Sequence, residues 1–326
     1  MDARRFLAVV AVLVLATGCA STRPAATALA SQGGTASRTI EAAFARTEAD
    51  LDLLVDRRIL QSALSGRPAP SARAQADIDR VQAAISSRRR LCGDLATLYD
   101  GFAALATYDA SAEVTRAFGD VSASANALAV AVGDSAVVSA PLSDLAAKLA
   151  AATATSLQNG RLAKTSAVIR GLLVEIRKLI EQEAPLYASV REELERVSVA
   201  TSLEMYRSGI GRPHPLLREL LDAREFAYDE RQANTALEKG AKSAALDSAI
   251  EQIVHRRIAR RLELERSLVA SFASVLSQLE LEHQAFEANR PLDATAVRER
   301  LAAFRQIVDI LAELRQGRSV PPETQP

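Results

Sequence analysis

Residues 268–286 read LVASFASVLSQLELEHQAF. Leu268, Phe272, Val275, Leu279 and Phe286 recur at steps of four, three, four and seven. That spacing keeps one apolar stripe on a single face of a helix and turns it toward a neighbouring helix. The same periodicity extends over 242–289, and Pro291 ends it. At 1.5 Å per residue, a helix of about forty residues is roughly 60 Å long, longer than an ordinary compact domain is wide.

The pattern repeats outward in both directions. Toward the C-terminus, Asp293 is placed to cap a last helix carrying Val297, Leu301, Phe304, Val308, Leu311 and Leu314, which stops at Gly317. Toward the N-terminus, the spacing predicts helices over 215–238 and 162–207. Ile169, Leu172, Ile176, Leu179, Tyr187, Val190, Leu194 and Val197 form the seam of the second of these. Pro185 lies inside that helix and predicts a kink, because it removes a backbone donor and crowds the preceding turn. Asn159-Gly160 reads as a turn. A helix over 142–158 precedes it, and the stretch Gly133–Pro141 reads as a break.

Further back, Val114, Phe118, Val121, Ala125, Leu128 and Val132 mark a helix over 110–132. Ile78, Val81, Ile85, Cys92, Leu95, Leu98, Phe102 and Leu105 mark one over 71–108. Arg88 interrupts that stripe and is expected to snorkel to water. Ile40, Phe44, Leu51, Leu54 and Val55 mark a helix over 38–64, ended by Gly66-Arg67-Pro68-Ala69-Pro70. No segment alternates convincingly as a strand. The fold class expected is all-α, an elongated antiparallel helical bundle with long coiled-coil-like helices. The break Ser208–Pro215 (SGIGRPHP) divides it into a first half, 37–210, and a second half, 211–318, of one continuous domain; residues 319–326 form a disordered tail.

Composition agrees. Tryptophan is absent and only 14 of 326 residues are glycine, while the good helix formers alanine, leucine, arginine and glutamate dominate. Forty basic and forty acidic residues balance, so no global field draws nucleic acid. The chain has only two cysteines, Cys19 and Cys92. Cys92 falls on an apolar stripe, which predicts packing and not reactivity.

The first twenty residues, MDARRFLAVVAVLVLATGCA, have a different character. Arg4 and Arg5 precede an apolar run from Phe6 to Ala16, followed by Thr17-Gly18-Cys19. This is a charged n-region, an apolar h-region and a small-residue cleavage site, too short to span a bilayer permanently. It resembles the lipobox signal of bacterial lipoproteins, departing from the family pattern at Ala16, where a branched apolar residue is usual. The resemblance covers residues 1–20 alone. It implies that residues 1–18 are removed and that Cys19 is lipidated as the first mature residue. With Ala20, not Asp, after the cysteine, it implies the periplasmic face of the outer membrane. Two or more acyl chains hold stably where one binds reversibly. Residues 19–36, small, polar and aperiodic, read as a flexible tether from membrane to domain. With Cys19 lipidated, Cys92 has no intramolecular disulfide partner.

Candidate chemistry is sparse. Gly133-Asp134-Ser135 resembles the nucleophile motif of GDSL-type hydrolases, and His214-Pro215 would supply the histidine. The position three residues before His214 is Gly211, where that family has Asp, so the triad is incomplete and no catalytic residue is assigned. For a metal, Glu280-Leu281-Glu282-His283 offers one Glu-x-x-His spacing where a di-metal bundle needs two. His255 and His283 lie about 42 Å apart on one helix and do not share an ion. No metal, cofactor or haem site is expected. Arg256, Arg257, Arg260 and Arg261 form a basic cluster, one helical turn apart in pairs, that suits phosphate groups or an acidic partner. The expected function is a non-catalytic interaction or scaffolding module, held at the membrane through Cys19 and meeting an envelope protein partner; the alternatives are an envelope hydrolase using Ser135 and His214, or a small-ligand or metal-binding bundle.

Overall fold

A computed structural model of the chain describes residues 3–64, 71–133, 135–155, 157–207 and 244–315. These residues form seven helices: α1 Ala3–Leu64, α2 Ala72–Thr107, α3 Ser111–Val132, α4 Ser135–Thr153, α5 Gln158–Arg207, α6 Ala244–Glu287 and α7 Ala294–Arg315. No strand occurs among the described residues, and the fold is all-α. None of these helices is long and apolar enough to cross a membrane.

The described chain groups into two compact units. One combines residues 1–46, 83–183 and 270–304; the other combines 47–82, 184–269 and 305–326. Stretches distant in sequence are interleaved in each. In the first unit, three helix pairs are antiparallel by their side-chain register. Arg38 of α1 meets Asp100 of α2 at 2.6 Å, and Glu41 lies beside Gly93. Gly101 of α2 lies against Val114 of α3, while Asp94 accepts a hydrogen bond from Ser124. Arg170 and Arg177 of α5 pair with Glu287 and Glu280 of α6, at 3.0 and 2.8 Å. The core of this unit is the expected set of stripes, including Phe44, Ile85, Leu98, Phe102, Val121, Leu128, Leu172, Phe272, Val275, Leu279 and Phe304, all buried. In the second unit, Leu51, Leu54, Ile78, Val81, Ile258, Leu262, Ile307 and Leu311 are buried, and Gln82 donates to Asp52 at 2.9 Å.

Helix boundaries agree with the sequence for α2, α3, α6 and α7. Gly133 closes α3 in the left-handed conformation, φ 85°, which glycine adopts without strain. Asp293 caps α7 as expected, its Oδ1 accepting from the Thr295 and Ala296 amides at 3.1 and 3.0 Å. The expected break over 133–141 is far shorter. Helix α4 begins at Ser135 and carries Pro141 inside it. Leu142, Leu145 and Leu149 are buried, and Leu145 sits so close to Gly171 of α5 that an added Cβ there would come to 2.7 Å. That apolar seam outweighs the cost of a helical proline. Likewise Asn159-Gly160 lies in the first turn of α5, not in a turn between helices. Helix α5 continues past position 185 to Arg207. The break at 208–215, the helix expected over 215–238 and the tail 319–326 lie outside the described residues.

The tether expected over 19–36 is corrected outright, because α1 runs through it. Ala26, Leu29, Ala30, Ala36 and Ser37 are buried. Small residues there serve close approach of backbones, not flexibility. A Cβ built on Gly33 would lie 2.1 Å from Cζ of the fully buried Tyr99 ring. Gly33→Ala is therefore expected to destabilise the protein by about 1–3 kcal/mol, the usual cost of overpacking a tight core. Gly34→Ala, whose Cβ would press on the movable end of the exposed Arg38 side chain at 3.2 Å and make ordinary contacts to Asp100 and Tyr99 at 3.8 Å, is expected to be neutral or to stabilise by up to about 1 kcal/mol through helix propensity. Urea unfolding of the two variants checks this pair.

Candidate functional site

The first unit holds a sealed polar centre in its apolar core. His283 reaches it from α6, seated between the seam residues Leu279 and Phe286. Tyr99 arrives from the Leu95–Phe102 stripe of α2, and Ser166 from the third turn of α5. The Tyr99 hydroxyl lies 3.1 Å from His283 Nε2, and Ser166 Oγ lies 2.8 Å from Nδ1. Ser166 Oγ also lies 3.4 Å from Glu287 Oε1. Glu287 in turn receives the Arg170 guanidinium in a two-pronged contact at 3.0–3.3 Å. Phe102 and Phe286 flank the cluster, with Phe102 and Tyr99 stacked obliquely on the imidazole.

One proton arrangement satisfies every group. A carboxylate only accepts, so Ser166 donates to Glu287 and its oxygen is left to accept from Nδ1–H. Nε2 then accepts from the Tyr99 hydroxyl. The result is a one-way chain of donors, Tyr99 to His283 to Ser166 to Glu287, ending at Arg170. Burial and the Arg170 cation push the His283 pKa down to about 3, so the imidazole is neutral at physiological pH. Burial holds the Tyr99 phenol well above its usual range.

A serine within 2.8 Å of an imidazole nitrogen resembles half of a catalytic triad, but in this proton arrangement the imidazole is the donor. His283 donates to Ser166 and cannot also take its proton, so it is no general base for that hydroxyl. Tyr99, Ser166 and His283 are all at 0% exposure. The arrangement joins three helices through one side chain. Losing one member leaves buried polar atoms unsatisfied, typically at about 1–3 kcal/mol each. The network therefore fixes the register of α2, α5 and α6.

Neighbouring polar groups are structural too. Glu282, beside His283 and also buried, accepts from Gln278 at 2.9 Å and from the Asp293 amide at 2.7 Å, tying the end of α6 to the start of α7. Glu280 is bound by Arg177. The Glu280-x-x-His283 spacing thus converges on two different partners. Among the described residues, no three acidic, histidine or cysteine side chains gather as metal ligands. Arg88 does not snorkel. It is buried at 1% exposure with its guanidinium 4.5 Å over the Phe44 ring, where a cation–π contact favours the charge. Cys92 is buried on the α2 stripe.

Several of the remaining sequence candidates lie outside the described residues. Cys19 lies within α1, but its side chain is outside the described residues, as is that of Ser135 at the start of α4. His214 lies wholly outside them. Arg256, Arg257 and Arg260 are exposed on α6 beside exposed His255, with Arg261 half-buried; they belong to the second unit. Sequence reasoning missed Tyr99 and Ser166. Only the gap in the α6 seam between Leu279 and Phe286, filled by Glu282 and His283, hinted at a polar centre. No family model matches the chain, and no curated protein or solved structure matches it either.

Proposed function

We propose that the chain is a bacterial lipoprotein, anchored through lipid on Cys19 at the periplasmic face of the outer membrane. Its helical domain serves there as a non-catalytic interaction or scaffolding module for another envelope protein. The observation that carries this reading is the leader itself: Arg4-Arg5, the apolar run Phe6–Ala16, and Thr17-Gly18-Cys19-Ala20 in order. The sealed state of the His283 centre supports the non-catalytic part, since its only serine–histidine contact faces no solvent. The exposed arginines Arg256, Arg257 and Arg260 are the contact candidates for an acidic partner.

Cys19→Ser tests the anchor. The variant is expected to accumulate as an unprocessed precursor and to leave the outer-membrane fraction, while wild type stays in it. Normal fractionation of Cys19→Ser would overturn the reading.

A further inference from the structure

We infer that one end of the first unit rests directly on the bilayer surface, with Tyr108 and Leu157 inserted at the lipid interface. This rests on the lipid at Cys19 proposed above and adds a surface to it.

Three chain segments meet at that end. Arg23, near the start of the mature chain, donates to the Gln158 side chain at the start of α5. Gln158 in turn donates to the Leu105 and Ala106 carbonyls at the end of α2, at 3.1 and 3.4 Å. Arg161 closes the cluster, bridging Asp109 at 2.6 Å and donating to the Thr155 carbonyl at 3.1 Å. Each of the two loops gathered here exposes one large apolar side chain. Tyr108 is 55% exposed and Leu157 is 75% exposed, the highest value among the large exposed apolar residues.

The occupant follows from the distance to the lipid. Helix α1 leaves no tether, and buried Ala26 is only seven positions after Cys19. As helix, those seven positions rise about 10 Å. Even fully extended, they reach about 25 Å. Acyl chains at Cys19 therefore hold this end at the headgroup layer. A tyrosine and a leucine flanked by Arg23 and Lys164 match that layer, with an apolar body inward and cations among phosphates. An anchor with no slack also fixes how the helical domain stands on the membrane, where a flexible tether would leave it free.

The absence of tryptophan makes the test clean. Full-length lipidated protein carrying Tyr108→Trp, Leu157→Trp or Val130→Trp is placed in phosphatidylethanolamine–phosphatidylglycerol vesicles with brominated acyl chains. Val130 is exposed too, but lies at the opposite end of α3, about 30 Å away along the helix. Quenching and a blue shift are expected for Trp at 108 and 157, and neither for Trp at 130. Intact mass on the same samples reports the lipid. Lipid present with equal response at all three positions, or none at 108 and 157, overturns the docking while leaving the anchor intact. Lipid absent from wild type overturns the anchor, and the docking with it.

Discussion

Replacing Phe272 and Leu279 together by alanine is expected to remove most of the stability of the helical domain. The two residues lie seven apart on α6, both 1% exposed, and Phe272 sets its ring edge-on to Phe44 of α1 at 5.4 Å. Truncating a buried Phe or Leu typically costs about 2–5 kcal/mol, lost transfer energy plus the cavity left behind. Domains are stable by roughly 5–15 kcal/mol, so the pair reaches the scale of the whole. The control is Gln284→Ala, exposed on the same helix and expected to change stability by about 0.5 kcal/mol or less. Glu280→Ala is no such control. Its carboxylate, 15% exposed, is held by Arg177 at 2.8 Å, so the variant is expected to cost more than Gln284→Ala. Urea unfolding of the chain from Ala20 onward ranks the variants. Equal losses for Phe272→Ala and Gln284→Ala would mean that the buried face of α6 is assigned wrongly.

Mild acid is expected to weaken the protein through His283, well before carboxylates titrate. The sign follows from the two states. Unfolded, the imidazole takes a proton near pH 6.5. Folded, burial and Arg170 delay that to about 3. Between those values the unfolded chain binds a proton that the folded chain does not, so stability falls as pH falls. It is complete above about 6.5 and declines by about 1.4 kcal/mol per pH unit below it, about 2 kcal/mol by pH 5. The other titratable groups facing the imidazole are Tyr99 from α2, Arg170 from α5 and Glu287 from its own helix. Tyr99, held above its usual range by burial, does not change charge over that window. His283→Gln, which has nothing to protonate there, is expected to be less stable at pH 7.5 but to flatten the dependence between pH 7.5 and 5. Both proteins keep His255 and His214, so the difference between their curves isolates His283. Parallel curves would refute the assignment.

The helices were legible where large apolar side chains carried the period. Ile78 to Leu105 on α2 and Val114 to Leu128 on α3 announce their faces by residue size alone. The stretch 20–36 was not legible for the converse reason. Alanine, serine and glycine show little hydropathic contrast, yet they let α1 approach α2 until Gly33 touches the Tyr99 ring. Local rules also failed where tertiary packing overrode them. Pro141 and Asn159-Gly160 carry break signals, but both sit in helices bearing buried seams, Leu142–Leu149 and Leu162–Leu173. The polar centre was half visible. His283 and Glu282 fill a position where the α6 stripe calls for an apolar residue. Nothing local in Tyr99 or Ser166 says that they would meet them, because that pairing is set by how α2 and α5 align with α6.

The claim that this centre is a neutral structural pin and not reactive machinery is tested most directly by imidazole nitrogen NMR of His283, in protein from Ala20 onward. A neutral ring protonated on Nδ1, unchanged from pH 8 to pH 5, is the predicted spectrum. A His283 ring that takes up a proton near pH 6.5, or carries its proton on Nε2 and so frees Nδ1 to accept from Ser166, would contradict the account.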